Sequence, residues 1–274
     1  MLAAFFALRA DLTRRGLAAS NDKLPVKQNA TGAQKIRPSG NAESEMMIAI
    51  PCLAGIVGAK FYHVLESPAD FFAHPLQELL SPYGFAWFGG LLGGCAAFVW
   101  VGRRQKIPLL TLLDAGSPAA ALGYGIGRIG CLLSGDGDYG IPTSLPWGMS
   151  FPNGLVPTTQ RVHPTPIYEL LVACTIAWWL WRMGARQVEA AGVKSSAVTA
   201  NLAEARRRPP DGSVFASYLV LTGLARFLVE FIRINPRSFL GMSNAQAAGL
   251  ACAIAGVILR WWLAKGDART EASS

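Results

Sequence analysis

The sequence has few charged residues and few residues of the kinds that bind metals. Only 15% of its 274 residues are charged, whereas 51% are hydrophobic, and this combination is typical of integral membrane proteins rather than soluble domains. The three histidines are scattered, and no two of the five cysteines form a CxxC motif. These absences argue against a zinc site or a disulfide scaffold. The sequence therefore predicts no metal and no cofactor.

The formal net charge of +8 would indicate a nucleic-acid partner in a soluble protein. Here the cations lie mostly in loops between apolar segments, on one side of the alternating pattern, and the opposite loops are mainly acidic. The positive-inside rule places such cationic loops in the cytoplasm. We therefore expect the lipid bilayer, and no nucleic acid, as a partner.

Seven apolar segments can be recognised, and most approach the roughly 20 residues that a transmembrane helix needs. They cover about 1–10, 46–66, 84–101, 108–133, 166–183, 213–234 and 242–264. We interpret the short first segment as the end of a helix that begins outside this sequence. The prediction is an all-α polytopic membrane bundle of about seven helices, the first one truncated, forming a single domain over 1–274. Polar loops are expected at 16–45 and 184–212, the second with a short amphipathic helix that ends at 206–208.

The stretch 123–148, GYGIGRIGCLLSGDGDYGIPTSLPWG, is the most unusual part of the chain. Arg128 falls inside or at the rim of an apolar segment, where a charge costs roughly 2.5–3.5 kcal/mol on insertion scales and indicates function. The following Gly-rich loop, with Asp136 and Asp138, must lie at the membrane interface or line a cavity. The two features together predict a site for an anionic lipid headgroup.

The sixth segment carries charges within an apolar run. Thr222, Arg226, Glu230 and Arg233 follow at spacings of four, four and three, which places them on one helix face. One interpretation is an intrahelical Arg226–Glu230 pair that only lowers the cost of insertion. The other is a net positive stripe that joins Arg128 to bind a phosphodiester. Arg233 supports the second, because it lies on the outer side, where the loops are otherwise mostly acidic.

The stretch VHPTPIYELL opens the fifth segment as an ordinary helix start. Thr165 suits a cap, Pro166 suits the first helical position, and the helix dipole favours Glu169 near this end. His163 beside it is either structural or a proton carrier. Lys60, in the second segment, either extends its ammonium to the interface or makes a second headgroup contact.

The motifs GRIGCLLSGDGDYGIPTSLPWG, HPTPIYE and ARFLVEFIR, in this order and spacing, make the chain resemble the bacterial prolipoprotein diacylglyceryl transferase family. The resemblance implies seven transmembrane helices in the bacterial inner membrane, with the active site toward the periplasmic side. It implies transfer of diacylglyceryl from phosphatidylglycerol to the lipobox cysteine of prolipoprotein signal peptides, the first step of lipoprotein maturation. Arg128 matches the lipid-binding arginine of GR-x-G. Arg226 matches the second essential arginine, with Glu230 and Arg233 beside it.

Several positions depart from the family pattern. Phe88 stands where the family usually has histidine, Cys131 where it has asparagine, and Thr222 where it has tyrosine. The loop at 136–138, Asp-Gly-Asp, is one residue longer than the common form. Both arginines are retained, so these departures concern proton transfer more than phosphate binding. His163, Asp136 and Asp138 are the candidates for the base that accepts the thiol proton.

The predicted site therefore contains two groups of residues. The catalytic group is Arg128, Arg226, His163 and Asp136, and the substrate-binding group is Arg128, Arg226, Glu230, Arg233, Glu169 and Lys60. The alternative function is a membrane protein that binds anionic phospholipid without catalysis or with a different specificity. A small transporter ranks last, because the sequence lacks two matching halves.

Overall fold

The computed structural model describes residues 2–17, 40–81, 86–196, 209–237 and 241–272. The described residues form nine helices and one two-stranded antiparallel sheet. The helices are α1 Leu2–Arg14, α2 Gly40–Glu66, α3 Pro68–Ala73, α4 Pro75–Leu80, α5 Trp87–Arg104, α6 Leu109–Ser134, α7 Thr165–Ser196, α8 Ser213–Val229 and α9 Asn244–Ala272. The strands are β1 Met149–Phe151 and β2 Thr158–Val162.

Each of the seven predicted apolar segments contains a helix. Three helices in the described part of the chain are long and apolar enough to cross a membrane, over Met46–Glu66, Leu109–Ser134 and Asn244–Gly266, and α8 is a shorter apolar helix. The predicted all-α, polytopic membrane class is therefore confirmed. The count of about seven spans stays a prediction.

Several helix boundaries differ from the predicted ones, and three of these differences affect the predicted loops or the site. Helix α2 begins at Gly40 and α7 continues to Ser196, so helix occupies parts of both predicted polar loops. The amphipathic helix predicted to end at 206–208 lies outside the described residues. Helix α8 ends at Val229, before the predicted 234, because the residues that follow pair with a distant segment: the N–H of Ile141 donates to the Ile232 carbonyl, and Gly140 forms a bridge with Arg233.

The chain folds into two compact units. One unit comprises residues 12–112, in which α2 and α5 pack closely together. Glycines allow this approach, since a Cβ at Gly58 would lie 2.5 Å from the carbonyl oxygen of Gly89. Small residues at a helix interface allow two backbones to approach in this way. The prediction of a single domain over 1–274 stays a prediction.

The other unit comprises residues 1–11 and 113–274. In it α8 packs against both α7 and α9. Its core includes Ala121 of α6, Ile176, Ala177 and Leu180 of α7, and Val214 of α8, all buried. This unit contains the 123–148 stretch and all the described residues of the predicted site except Lys60.

Asp114 fixes the start of α8 within this unit. Its buried carboxylate accepts hydrogen bonds of 2.8 Å from the backbone N–H groups of Gly212 and Phe215 and one of 3.1 Å from the side chain of Gln187. The first N–H groups of a helix have no partner inside the helix. Asp114 therefore caps α8 from α6, which sets the position of the helix that carries Arg226.

Replacing Asp114 with alanine should destabilise the fold. The substitution leaves the N–H groups of Gly212 and Phe215 without this acceptor, and a buried N–H group without a partner costs about 1–3 kcal/mol. The midpoint of thermal unfolding in detergent should therefore fall well below that of the unchanged chain. Glu189→Ala removes an exposed acid from α7 and serves as the control. Equal unfolding midpoints for the two variants would contradict the capping role.

Candidate functional site

Backbone hydrogen bonds join three separate segments: one that follows the end of α6, one that precedes the start of α7 and one that follows the end of α8. The N–H of Gly140 donates to the carbonyl of His163 at 2.8 Å, and the N–H of His163 donates to Ile141 at 3.1 Å. On the other side, the N–H of Ile141 donates to Ile232 at 2.8 Å, and Gly140 forms a bridge with Arg233. A Cβ at position 140 would lie 2.5 Å from the Ile232 carbonyl oxygen. Glycine at 140 therefore permits the pairing that brings Asp138 and Arg233 together.

Glu169, in the first turns of α7, is the centre of the site. Its Oε1 accepts the hydroxyl of Tyr124 at 2.8 Å and lies 3.3 Å from Nη1 of Arg226. Its Oε2 lies 3.5 Å from Nη1 of Arg128 and 3.4 Å from Nη1 of Arg233. The side chain is only 4% exposed. One buried carboxylate thus contacts three guanidinium groups that come from α6, α8 and the segment after α8.

Asp138 bridges two of the same arginines from the Gly-rich loop. Its Oδ2 lies 2.5 Å from Nη1 of Arg128, and its Oδ1 accepts a hydrogen bond from Nη2 of Arg233. The hydroxyl of Thr165 donates to the backbone carbonyl of Asp138, which ties the loop to the start of α7. Asp138 therefore closes a second connection between Arg128 and Arg233.

Glu230 is the third carboxylate, at the end of α8. Its Oε2 lies 3.1 Å from Nη1 of Arg226 and 3.7 Å from Nε of Arg233. Its Oε1 accepts hydrogen bonds of 2.8 Å from the Ser243 hydroxyl and 2.5 Å from the Asn235 amide. With Glu169 and Asp138, Glu230 balances the three arginines, so the cluster has no net charge when all six groups are ionised.

The electrostatics of Asp138 follow from these contacts. Partial burial acts to raise the pKa of its carboxyl, but the guanidinium groups of Arg233 and Arg128 outweigh burial and hold the pKa below its usual range. Asp138 therefore stays ionised to a lower pH than an aspartate without these arginines.

A cavity of about 520 Å³ lies beside the cluster, between α6, α7, α8 and α9. Tyr124, Glu169 and Arg226 line it together with apolar side chains such as Ile176 and Leu228. A mainly apolar cavity with charged groups in its wall can accommodate an aliphatic chain joined to an anionic head.

Five of the predicted site residues are brought together: Arg128, Arg226, Glu230, Arg233 and Glu169. The Arg226–Glu230 pair within α8 is present, and Arg226 also contacts Glu169, so this pair is not the only ion pair that Arg226 makes. The binding of a phosphodiester by this segment stays a prediction. The prediction that Arg233 continues the same helix face is wrong, because α8 ends at Val229 and Arg233 lies in an extended bridge.

The other three predicted residues make different contacts. Nδ1 of His163 lies 3.1 Å from the hydroxyl of Tyr168. Asp136 accepts the backbone N–H of Asp138 at 3.3 Å. The ammonium of Lys60 belongs to the 12–112 unit, where it donates to the Ser81 carbonyl at 3.1 Å. The catalytic role of the first two and the headgroup contact of Lys60 stay predictions.

Cys131, Asp136 and Asp138 present ligand atoms that all lie within 4.8 Å of one another. This is the described group whose spacing suits a metal ion. However, Asp138 already pairs with Arg128 and Arg233, and an added cation would be placed beside two guanidinium groups. The cluster therefore gives no metal assignment.

Sequence reasoning missed Tyr124 and placed Asp138 only among the candidate bases. A signal for Tyr124 was available, since it lies four residues before Arg128, the spacing at which side chains on one helix face meet. The bridging role of Asp138 depends on Arg233, 95 residues away along the chain, and no local pattern indicates that pairing.

The family model and the relatives that match this chain all carry the name of one family. The family model described as prolipoprotein diacylglyceryl transferase matches residues 26–262. The chain is 30% identical over 217 residues to the phosphatidylglycerol–prolipoprotein diacylglyceryl transferase of Clostridium tetani, with 78% of each chain covered. It is 32% identical over 244 residues to the protein of that name from Geobacter sulfurreducens, covering 88% of this chain and 76% of the relative. For the one from Leifsonia xyli the identity is 34% over 239 residues, covering 78% and 63%.

The ion pairs of Asp138 predict a pH-dependent contribution to stability. An aspartate in the unfolded chain has a pKa of about 3.9, and the pKa of Asp138 is lower in the folded protein. Its contribution is therefore fully present above about pH 4 and is lost as the pH falls toward the folded pKa. The unfolding midpoint of Asp138→Asn should lie below that of the unchanged chain at pH 7, and the gap should shrink below about pH 4.

The control for this measurement is Glu189→Gln, which removes an exposed charge that lies on α7. A gap between Asp138→Asn and the unchanged chain that stays constant from pH 7 to pH 3 would contradict the assignment.

Proposed function

Because the chain belongs to the prolipoprotein diacylglyceryl transferase family, we propose that it transfers the diacylglyceryl group of phosphatidylglycerol to the lipobox cysteine of a prolipoprotein. The observation that carries this proposal is the convergence of Arg128, Arg226 and Arg233 on Glu169 beside a largely apolar cavity. Guanidinium groups bind phosphate oxygens in a bidentate manner. The cavity offers space for an acyl chain of the same lipid.

The proposed reaction is a displacement at C3 of the glycerol that carries the acyl chains. The thiol sulfur forms a bond to C3, the bond between C3 and the phosphate oxygen breaks, and its electron pair leaves on glycerol phosphate. The thiol proton passes to a base. Negative charge grows on the departing phosphate, and arginines fixed in advance by buried carboxylates stabilise that charge without further rearrangement.

Binding of the phosphodiester requires that a carboxylate release its arginines. Glu169 and Glu230 are held inside the protein, with side chains 4% and 1% exposed, whereas the side chain of Asp138 is 28% exposed. Asp138 also follows Gly135 and Gly137, both with positive φ, in a loop rather than a helix. We therefore propose that Asp138 is the carboxylate that the phosphate displaces from Arg128 and Arg233.

The same contacts bear on the choice of base. Asp138 is a weak proton acceptor, because its two arginines lower its pKa. Asp136 is exposed and lies in the Cys131, Asp136 and Asp138 cluster next to the arginines. His163 is oriented by Tyr168. We propose Asp136 as the base, with His163 as the alternative.

The chain is a multi-pass membrane protein, and we propose that it lies in the bacterial inner membrane with the arginine cluster toward the outer face. The cationic loops support this orientation through the positive-inside rule. In this orientation a lipobox cysteine at the outer end of a signal peptide, and phosphatidylglycerol of the outer leaflet, reach the cluster from the same side.

A second candidate function is binding of anionic phospholipid without transfer. Thr222 favours it, because its hydroxyl donates to the carbonyl of Tyr218 at 2.6 Å and is turned toward its own helix. Phe88 favours it as well, since phenylalanine cannot accept a proton. The assay below separates the two functions, because a binder shows no thioether product.

Removing either central arginine should abolish most of the transfer. Loss of one electrostatic stabiliser costs about 10²- to 10³-fold in rate, so Arg128→Ala and Arg226→Ala should each fall by at least this factor. The measurement uses radiolabelled phosphatidylglycerol and a lipobox peptide in membranes. Arg237→Ala removes an exposed arginine and is the matched control. Full activity in either variant, or equal loss in the control, would contradict the proposal.

Asp136→Asn should lower the turnover number kcat by about 10²- to 10⁴-fold, the contribution that a positioned general base makes. The pH dependence of the residual rate should follow ionisation of the peptide thiol alone. His163→Gln, measured in parallel, should retain most of the rate. Loss of rate in His163→Gln with a normal rate in Asp136→Asn would move the role of base to His163.

A further inference from the structure

Tyr124 connects two of the arginines to the central carboxylate. The guanidinium carbon of Arg128 lies 4.8 Å from the centre of the Tyr124 ring, within the range of a cation–π interaction. The Tyr124 hydroxyl donates at 2.8 Å to Oε1 of Glu169, the oxygen that Nη1 of Arg226 also contacts at 3.3 Å. One side chain therefore acts on Arg128 through its ring and on Arg226 through Glu169.

Four hydroxyl-bearing side chains line the cavity, those of Tyr124, Tyr168, Tyr218 and Thr222. The hydroxyls of Thr222, Tyr168 and Tyr124 have different partners. The Thr222 hydroxyl bonds to its own helix. The Tyr168 hydroxyl accepts the indole N–H of Trp147 at 2.8 Å and lies 3.1 Å from His163. Of these three, Tyr124 is the residue whose hydroxyl bonds to the carboxylate between the arginines.

We propose that Tyr124 is a positioning residue that keeps Arg128 and Arg226 available to the phosphate of the lipid substrate, an inference that rests on the proposed function. The Tyr124 hydroxyl donates to Oε1 of Glu169, and Arg226 pairs with the same oxygen, so the two groups compete for it. Without the phenol, Arg226 pairs more fully with Glu169 and is less available to a phosphate. The ring of Tyr124 meanwhile fixes the guanidinium plane of Arg128.

This role predicts an effect on substrate binding rather than on the chemical step. Tyr124→Phe keeps the ring under Arg128 and loses only the hydroxyl. Its KM for phosphatidylglycerol should rise about tenfold, the size expected for loss of one hydrogen bond to a charged group. Its kcat should stay within about threefold. Tyr124→Leu also loses the cation–π interaction, so its KM should rise several-fold further.

A phenol introduced at another position of the cavity wall should restore substrate binding to the Tyr124→Phe variant. Thr222 faces the same cavity from α8, so Tyr124→Phe combined with Thr222→Tyr restores a phenol to the shared space. This double variant should recover at least part of the KM lost in Tyr124→Phe. Tyr62→Phe, in the 12–112 unit, is the control for removal of a tyrosine hydroxyl and should match the unchanged chain.

The experiment measures kcat, KM and the unfolding midpoint for the four variants and the unchanged chain, together with phosphatidylglycerol binding to the purified protein in detergent. A raised KM with an unchanged unfolding midpoint and recovery in the double variant supports the inference. An unchanged KM in Tyr124→Phe, a loss explained by a lower unfolding midpoint, or no recovery in the double variant overturns it.

The binding measurement separates failure of this inference from failure of the proposed function. If the unchanged chain transfers no lipid, the proposed function fails, and the dissociation constant for phosphatidylglycerol decides the role of Tyr124. A tenfold weaker binding by Tyr124→Phe then supports the positioning role. Equal binding by the two proteins overturns it.

Discussion

The contact of one buried carboxylate with three guanidinium groups is the interaction on which the site depends. Glu169 is almost fully inaccessible, and an isolated ion in that position would cost several kcal/mol after relaxation. Its partners Arg128, Arg226 and Arg233 come from α6, α8 and the segment after α8. The ion pairs therefore favour only those arrangements of the three elements in which all the charges meet, and removal of one member leaves an unbalanced charge on the others.

Hydrogen bonds around Glu169 hold the elements that carry its charged partners in position. Asp114 caps α8 from α6 and so sets the helix that carries Arg226. At the other end, backbone pairing of the 139–141 segment with 163 and 232 places Asp138 and Arg233 within reach of each other. Two sets of hydrogen bonds, one from backbone N–H groups to the Asp114 carboxylate and one between backbone groups, thus connect residues that the sequence separates by up to about a hundred positions.

The helices and much of the site could be predicted from the length of the apolar runs and from charged residues within them. Apolar runs of the right length predict helices, and the cost of intramembrane charge identified Arg128, Arg226 and Glu230. The strands β1 and β2 were missed because they have only three and five residues and lie among turn-forming residues. The sequence places Arg233 on the helix face of α8, because the apolar pattern continues past Val229. In the structure the helix ends at Val229, and Arg233 pairs with Gly140, which is distant in sequence. The bridge formed by Asp138 depends on the same long-range pairing.

The balance of three arginines against three carboxylates also bears on how a product would leave. A phosphodiester carries one negative charge, whereas the glycerol phosphate released in the proposed reaction is a monoester with a charge of about −1.5 to −2 at neutral pH. A cluster of only positive groups would hold the more highly charged product more tightly than the substrate. With Glu169, Glu230 and a returning Asp138 beside the arginines, the carboxylates would repel the extra charge of the product. In the proposed reaction, the internal neutrality of the cluster would therefore favour release of the product over product inhibition.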